Sequence, residues 1–347
     1  MDNRLPYRAR VCAPDALTPA ELASWARLNA GIAHLSSPFL SAHYARAAAA
    51  AGMPVRVCVI SQADRAVGFL PFQAAGRIEG LLGSAEPAGA EMTDYFGLVA
   101  EPECRIAPAD LLRLAGLNHL NFSHLDESQL AYGLQGEQPR VGLRIRLDRN
   151  AAEPLAALLA DNPKYRKDSE RRARQLAKEV GAPEFVLDVT DQREALLERL
   201  IEHKRAQYRR TGAFDALAAP ERQRLLHQLL SAHEPGCRSM LSTLSAGGEW
   251  VAMHYGLLGS NNLQYWLPVY NPEMSKYAPG RLLIHSIIEA SRQAGIHLID
   301  RGEGDTPSKR ELANEEHRYL RGAWHHRSVA SFLCRGLLSV KWRLAAI

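Results

Sequence analysis

Three strand-like runs, residues 238–244, 249–257 and 263–270, follow one another with almost no chain between them. Ala246-Gly247-Gly248 and residues 259–262 supply the turns, so the runs must fold as an antiparallel meander. A polar loop, 271–280, follows and ends in Pro279-Gly280. Then come a helical stretch, 282–294, with Leu283, Ile287, Ala290 and Ala294 on one face, and a short strand at 297–300. Meander, loop, helix and strand in that order fix an α/β class. The loop also feeds a helix N-terminus, where free N–H groups and the helix dipole favour phosphate. An ordinary connection with a Pro-Gly breaker reads the same way.

The chain has 347 residues, more than one hydrophobic core usually serves. Two domains are expected, at 1–150 and 151–330, with an amphipathic helix at 331–347. In the first half helices are expected at 19–28, 41–51 and 107–117, and strands at 55–60, 67–73, 78–83, 94–99 and 140–147. The last alternates Val141, Leu143, Ile145 and Leu147 on one face. The second half opens with helices at 151–160 and 164–180 and a strand at 184–189. A helix capped by Asp191 follows, reaching about 210, and then one at 220–230. Lys204 and Tyr208 fall on the same face as Leu197 and Ile201, so they point inward or into a cleft; a lysine there also has the option of snorkelling to water.

A net charge of +4 does not mark a dedicated nucleic-acid binder, yet Lys164, Arg166, Lys167, Arg171, Arg172, Arg174 and Lys178 crowd one helix. That helix is either a solvated face or a contact for CoA phosphates, an anionic glycan or tRNA. Cys12, Cys58, Cys104, Cys237 and Cys334 are scattered without a CxxC pair, so no metal is expected. No apolar h-region follows the N-terminus and no run approaches membrane-spanning length, which leads to the expectation of a cytoplasmic protein.

The run Tyr277-Ala278-Pro279-Gly280-Arg281-Leu282-Leu283, then Ile299-Asp300-Arg301-Gly302-Glu303-Gly304-Asp305 and Ser308-Lys309, resembles the signature of the CelD/BcsL-type GNAT (Gcn5-related N-acetyltransferase) family linked to cellulose and exopolysaccharide biosynthesis. Pro38-Phe39-Leu40-Ser41 and Thr93-Asp94-Tyr95-Phe96-Gly97 are similar to that family's N-terminal landmarks. Two departures stand out: Ser308 replaces the tyrosine before Lys309, and the tryptophan after the lysine is missing, with Leu312 nearby. The family is in turn similar to the Fem peptidoglycan aminoacyl transferases. The resemblance implies two tandem GNAT-like domains, each a mixed, mostly antiparallel sheet flanked by helices.

It further implies acyl transfer from acyl-CoA to an amine or hydroxyl of a small polar or sugar acceptor. The alternatives are a Fem-like enzyme using aminoacyl-tRNA, and a non-catalytic binding protein. In the GNAT arrangement two neighbouring strands splay and the pantetheine arm pairs with an exposed strand edge. This designates Leu267, Val269 and Tyr270 for the arm, and Lys276, Tyr277, Gly280 and Arg281 for the phosphates. Acceptor activation needs a base, and the tetrahedral oxyanion needs a donor. The candidates are Asp300 as base or base-holder, His254 in the central strand, Lys309 to stabilise negative charge, and Asp94 to orient an amine from the first domain.

Overall fold

The computed structural model describes residues 6–326, apart from 232 and 235. The expected C-terminal helix at 331–347 lies outside the described residues. Those described form two compact units, one of residues 6–140 with 318–326 and one of Val141–His317.

The first unit runs β1 (Arg8–Cys12), α1 (Pro19–Gly31), α2 (Ala42–Ala50), β2 (Val55–Gln62), β3 (Arg65–Ala74), α3 (Arg77–Leu81), β4 (Ser84–Pro87), β5 (Val99–Ala100), α4 (Pro108–Ala115) and β6 (His119–Asp126). The chain leaves it within β7 (Gln138–Arg146). The second unit continues with α5 (Pro154–Leu158), α6 (Pro163–Glu179), β8 (Pro183–Val186), α7 (Arg193–Thr211), α8 (Pro220–Leu230), β9 (His233–Glu234), β10 (Cys237–Ala246), β11 (Glu249–Leu258) and β12 (Asn262–Tyr270). Then come α9 (Pro279–Ala290), β13 (Leu298–Glu303) and α10 (Pro307–Arg310), and β14 (Glu315–His325) carries the chain back.

One order of elements recurs. A strand, two helices, a three-stranded antiparallel meander, a helix and a parallel strand make up β1 to β6 and again β8 to β13. In the first unit β1 pairs with β2, β2 with β3 and β3 with β4, all antiparallel, and β4 pairs parallel to β6. In the second, β8 pairs with β10, β10 with β11 and β11 with β12, and β12 pairs parallel to β13. Each unit then takes its last strand from the other half of the sequence: β14 pairs with β6, and β7 with β13. The passages between units therefore fall at 140/141 and 317/318 rather than at 150 and 330.

Local chemistry sets the helix starts. Thr18 and Glu21 form a reciprocal capping box with Pro19 in the first turn of α1, and Asn162 caps α6 ahead of Pro163. Asp191 does not cap α7, which starts after Gln192 in the left-handed region. The strand expected at 78–83 is instead the single turn α3; Ile78 and Leu81 are 65% and 89% exposed, so no apolar face held it extended. The strand expected at 94–99 forms only from Val99 onward.

In the second unit one face of the meander packs Met240, Ala252, Leu263 and Tyr265 against Leu283 and Ile287 of α9. Next to His254, Tyr255 points to the other helices and donates to the Leu226 carbonyl of α8. No helix among the described residues is long and apolar enough to cross a membrane.

Candidate functional site: the parting of β12 and β13

The parallel strands β12 and β13 pair at three positions only: Asn262 with Leu298, Leu263 with Ile299 and Gln264 with Asp300. The separation begins where β12 is irregular. Tyr255 pairs with Leu267 but Leu257 with Gln264, so two residues of β12, Tyr265 and Trp266, lie opposite Gly256 alone. Such a bulge bends a strand and increases its twist, which turns the rest of β12 away from β13.

Beyond the bulge the backbone alternates. Asn271 donates its N–H to the Val251 carbonyl, so Asn271, Val269 and Leu267 face β11, while Pro268 and Tyr270 face the side that β13 has left. The expected edge residues are corrected in this respect: Leu267 and Val269 are buried in the ladder to β11, and Pro268 and Tyr270 carry the open edge. A proline is tolerated in this strand because its missing N–H faces an unpaired side.

The open edge leads toward the loop before α9. Ala278 is left-handed (φ 55°) and Pro279 has no N–H; Arg281 and Leu282 both donate to the Ala278 carbonyl. This leaves the Gly280 amide as the one first-turn N–H without an acceptor among the described residues, with open space beside its Cα. The two cations expected to hold phosphate are already engaged. Lys276 Nζ lies 2.7 Å from Glu179, which also accepts from Tyr277, and Arg281 pairs with Asp168 at 2.8 Å and with Glu311. These hydrogen bonds hold Glu179 and Asp168 well below the usual carboxylate range.

The carboxylates belong to α6, the basic helix. It buries Tyr165, Ser169 and Leu176 and docks through Arg172, which donates to the Lys276 carbonyl. Its exposed side carries Lys164, Lys167, Arg171, Arg174 and Lys178 at alternating spacings of three and four, a single stripe.

On the β13 side, Asp300 is 1% exposed. One carboxylate oxygen lies 2.8 Å from Arg144 Nε and the other accepts from the Gly302 N–H. Lys309 Nζ donates to the carbonyls of Gly302 and Glu303, at 3.2 and 2.8 Å. The two residues thus hold one turn from opposite sides. Gly302 and Gly304 give that turn its positive φ angles of 67° and 120°. Arg301 lies near Tyr265 and Tyr165 and donates to the Ser308 and Lys309 carbonyls; burial lowers its pKa.

His254 is fully buried and stacked on Tyr265, with ring centroids 4.4 Å apart. Burial pushes its pKa down to about 3, so the ring is neutral and steadies the bulge residue. Tyr165 and His285 share a hydrogen bond of 3.0 Å under the Arg281 guanidinium. Asp94 lies in the first unit, half-buried ahead of the Phe96 bridge to β6. Arg144 and Tyr265 were not singled out from sequence, and Pro268 and Arg301 entered only as members of the edge run 267–270 and of the motif 299–305. A proline inside an otherwise strand-like run was the available signal for an unpaired edge.

Residues 163–310 match the model of the acetyltransferase (GNAT) domain family. No curated protein matches the chain. Among solved structures, the chain is similar to the C-terminal domain of a protein assigned as a lysylphosphatidylglycerol synthetase from Agrobacterium fabrum (14% identity, TM-score 0.52, 90% of this chain and 94% of that one). It is also similar to a conserved protein of unknown function from Bacteroides thetaiotaomicron (9%, TM-score 0.55, 88% and 98%). A third likeness is to FemX (11%, TM-score 0.53, 82% and 90%). The chain thus has the α/β fold of the GNAT-type acyltransferases, a mixed sheet flanked by helices.

Proposed function

We propose that the second unit transfers an acyl group from acyl-CoA, acetyl-CoA being the simplest, to an amine or hydroxyl of a small polar or sugar acceptor. The observation that carries this reading is the parting of β12 and β13 at the bulge. The acyl carbonyl sits against the backbone at Tyr265 and Trp266, whose amides are the candidate oxyanion donors. The donor's arm lies along the open edge at Pro268 and Tyr270 toward the Gly280 amide. The acceptor forms the new C–N or C–O bond, the C–S bond breaks, and the acceptor's proton ends on the departing thiolate. Asp300 and Lys309 serve by holding the turn that forms the opposite wall, and His254 by supporting Tyr265. The engaged Ser308 and Lys309 carbonyls take the place of a substrate-stacking role in that loop. An exopolysaccharide precursor in the cytoplasm is the acceptor setting that the CelD/BcsL resemblance supports.

A second reading, a Fem-like transfer from aminoacyl-tRNA, is favoured by two particular observations. Lys276 and Arg281 are neutralised by carboxylates, and α6 displays its five-cation stripe outward. Thermal denaturation with acetyl-CoA, and separately with tRNA at two salt concentrations, decides between them. Acetyl-CoA should raise the melting temperature, because a ligand of the folded state alone stabilises it. No shift with acetyl-CoA, together with salt-sensitive tRNA binding, would replace the first reading by the second.

A further inference from the structure

Lys204 is a buried cation with no counter-ion among the described residues. It projects from α7 with 8% exposure, and its Nζ donates to the Pro268 carbonyl at 2.9 Å. Its ammonium also faces the Tyr208 ring, 5.2 Å from the centroid. Among the described residues no carboxylate pairs with it, whereas Lys276 and Arg281 each have one. A snorkelling lysine ends in water; this one ends on a strand carbonyl. Burial without a compensating charge pulls its pKa down to about 8.

The carbonyl it reaches is the decisive detail. Pro268 faces the unpaired side of β12, one alternation beyond the bulge, at the register where an extended ligand would pair with the strand. A strand edge ordinarily offers an acceptor and a donor at each such residue. Pro268 offers only the acceptor. The lysine has three N–H bonds, and among the described residues its one hydrogen-bond acceptor is the Pro268 oxygen.

We infer that Lys204 supplies, at the register of Pro268, the hydrogen-bond donor that the proline removes, and directs it to a carbonyl oxygen of the acyl donor lying along this edge. The inference rests on the acyl-donor reading above and adds to it a specificity-determining contact. The lysine side chain, rather than the backbone, recognises the arm at this point, and a ligand oxygen relieves a charge that the fold leaves unpaired.

The test is titration of the full chain with acetyl-CoA by calorimetry, in wild type, Lys204→Met, Pro268→Ala and the double variant, with the melting temperature of each unliganded protein as a folding control. Lys204→Met should bind about tenfold to a hundredfold more weakly, the effect of losing a charged hydrogen bond, and should melt no lower than wild type. Adding Pro268→Ala restores a backbone N–H at the same register and should recover at least fivefold, roughly half of that loss on a logarithmic scale. Unchanged affinity in Lys204→Met overturns the inference. So does a double variant that binds no better than Lys204→Met. A wild type that does not bind acetyl-CoA overturns the acyl-donor reading itself, and the inference falls with it.

Discussion

Each unit contains one parallel strand pair flanking a helix, and the two pairs end differently. In the first unit β4 and β6 pair at Ser84/His119 and Ala85/Leu120. The chain then leaves the strand after Pro87 and resumes beside β3 only at Val99. The intervening excursion fills the parting. Phe96 exchanges backbone hydrogen bonds with His124 and Asp126 of β6, and its ring packs on Phe122 and Trp324. Gln129 clamps Leu98 through both its N–H and its carbonyl. In the second unit the equivalent irregularity is one extra residue, and nothing from the same strand returns to β13. A long excursion seals the gap with the chain's own backbone; a single bulge opens it and leaves the edge unpaired. The landmark run Thr93 to Gly97 thereby acquires a physical meaning as the seal of the first unit.

The largest expected effect breaks that seal. Phe96→Ala removes a buried ring, 2% exposed, from an aromatic cluster and should cost about 3–5 kcal/mol in chemical denaturation. Acetyl-CoA affinity of the folded fraction should stay unchanged, because the ring belongs to the first unit. A loss of affinity larger than the loss of stability would mean that the sealed parting also takes part in binding.

Next in size is the wall of the open parting. Asp300→Ala leaves Arg144, whose side chain is 13% exposed, without its buried partner and removes the acceptor of the Gly302 N–H. The cost expected is about 3 kcal/mol, and activity should fall with it. Asp300→Asn keeps the shape and should lose less stability. If Asp300→Asn were fully stable yet inactive, Asp300 would be a catalytic base and the turn-holding role would be wrong.

Lys204 sharpens the comparison with the opposite sign. Its pKa near 8 lies below the ordinary lysine value of 10.5, so between these values the unfolded chain binds a proton that the fold has released. Stability therefore rises with pH across about 8 to 10.5, and at neutral pH the buried ammonium costs the fold about 3 kcal/mol. Lys204→Met should raise stability at pH 7 and flatten this limb while weakening donor binding, a trade-off that a purely structural lysine would not show. His254 and His285 act at the acid end. Burial places them near 3 and 4, against an ordinary 6.5. The unfolded chain protonates first as pH falls below about 6.5, so stability should decline from there toward 4. His285→Phe should shallow that decline in acid titrations followed by circular dichroism.

The sequence was legible where the signal is local. The meander and α8 follow from alternation and from Pro220, and the GNAT-like order follows from the run of elements. The exchange of β7 and β14 was hidden, because which distant strand completes a sheet leaves no mark on either strand's own pattern. Residues 94–99 look extended and apolar, yet their aromatics are spent on sealing a gap rather than on extending a ladder. Asp300 and Lys309 were found by motif, but only their partners, Arg144 and the turn carbonyls, show that they grip a loop. Lys204 was visible as an inward lysine; its meaning depends on strand parity at Pro268, which follows from where the bulge falls.

The smallest effect tests the loop before α9. Lys276 and Glu179 form a surface pair of 2.7 Å with side chains 60% and 38% exposed. Water and salt screen such pairs, and each long side chain loses freedom in making the contact. Lys276→Ala should therefore leave the denaturation midpoint within experimental error. Binding is the more telling readout. If the lysine stays with Glu179 when the site is filled, acetyl-CoA affinity should also be nearly unchanged, and the phosphates must rely on the Gly280 amide. A large, salt-dependent loss of affinity would instead show that the donor draws Lys276 away from Glu179, so that the open edge would then be completed by a cation that the free protein keeps in reserve.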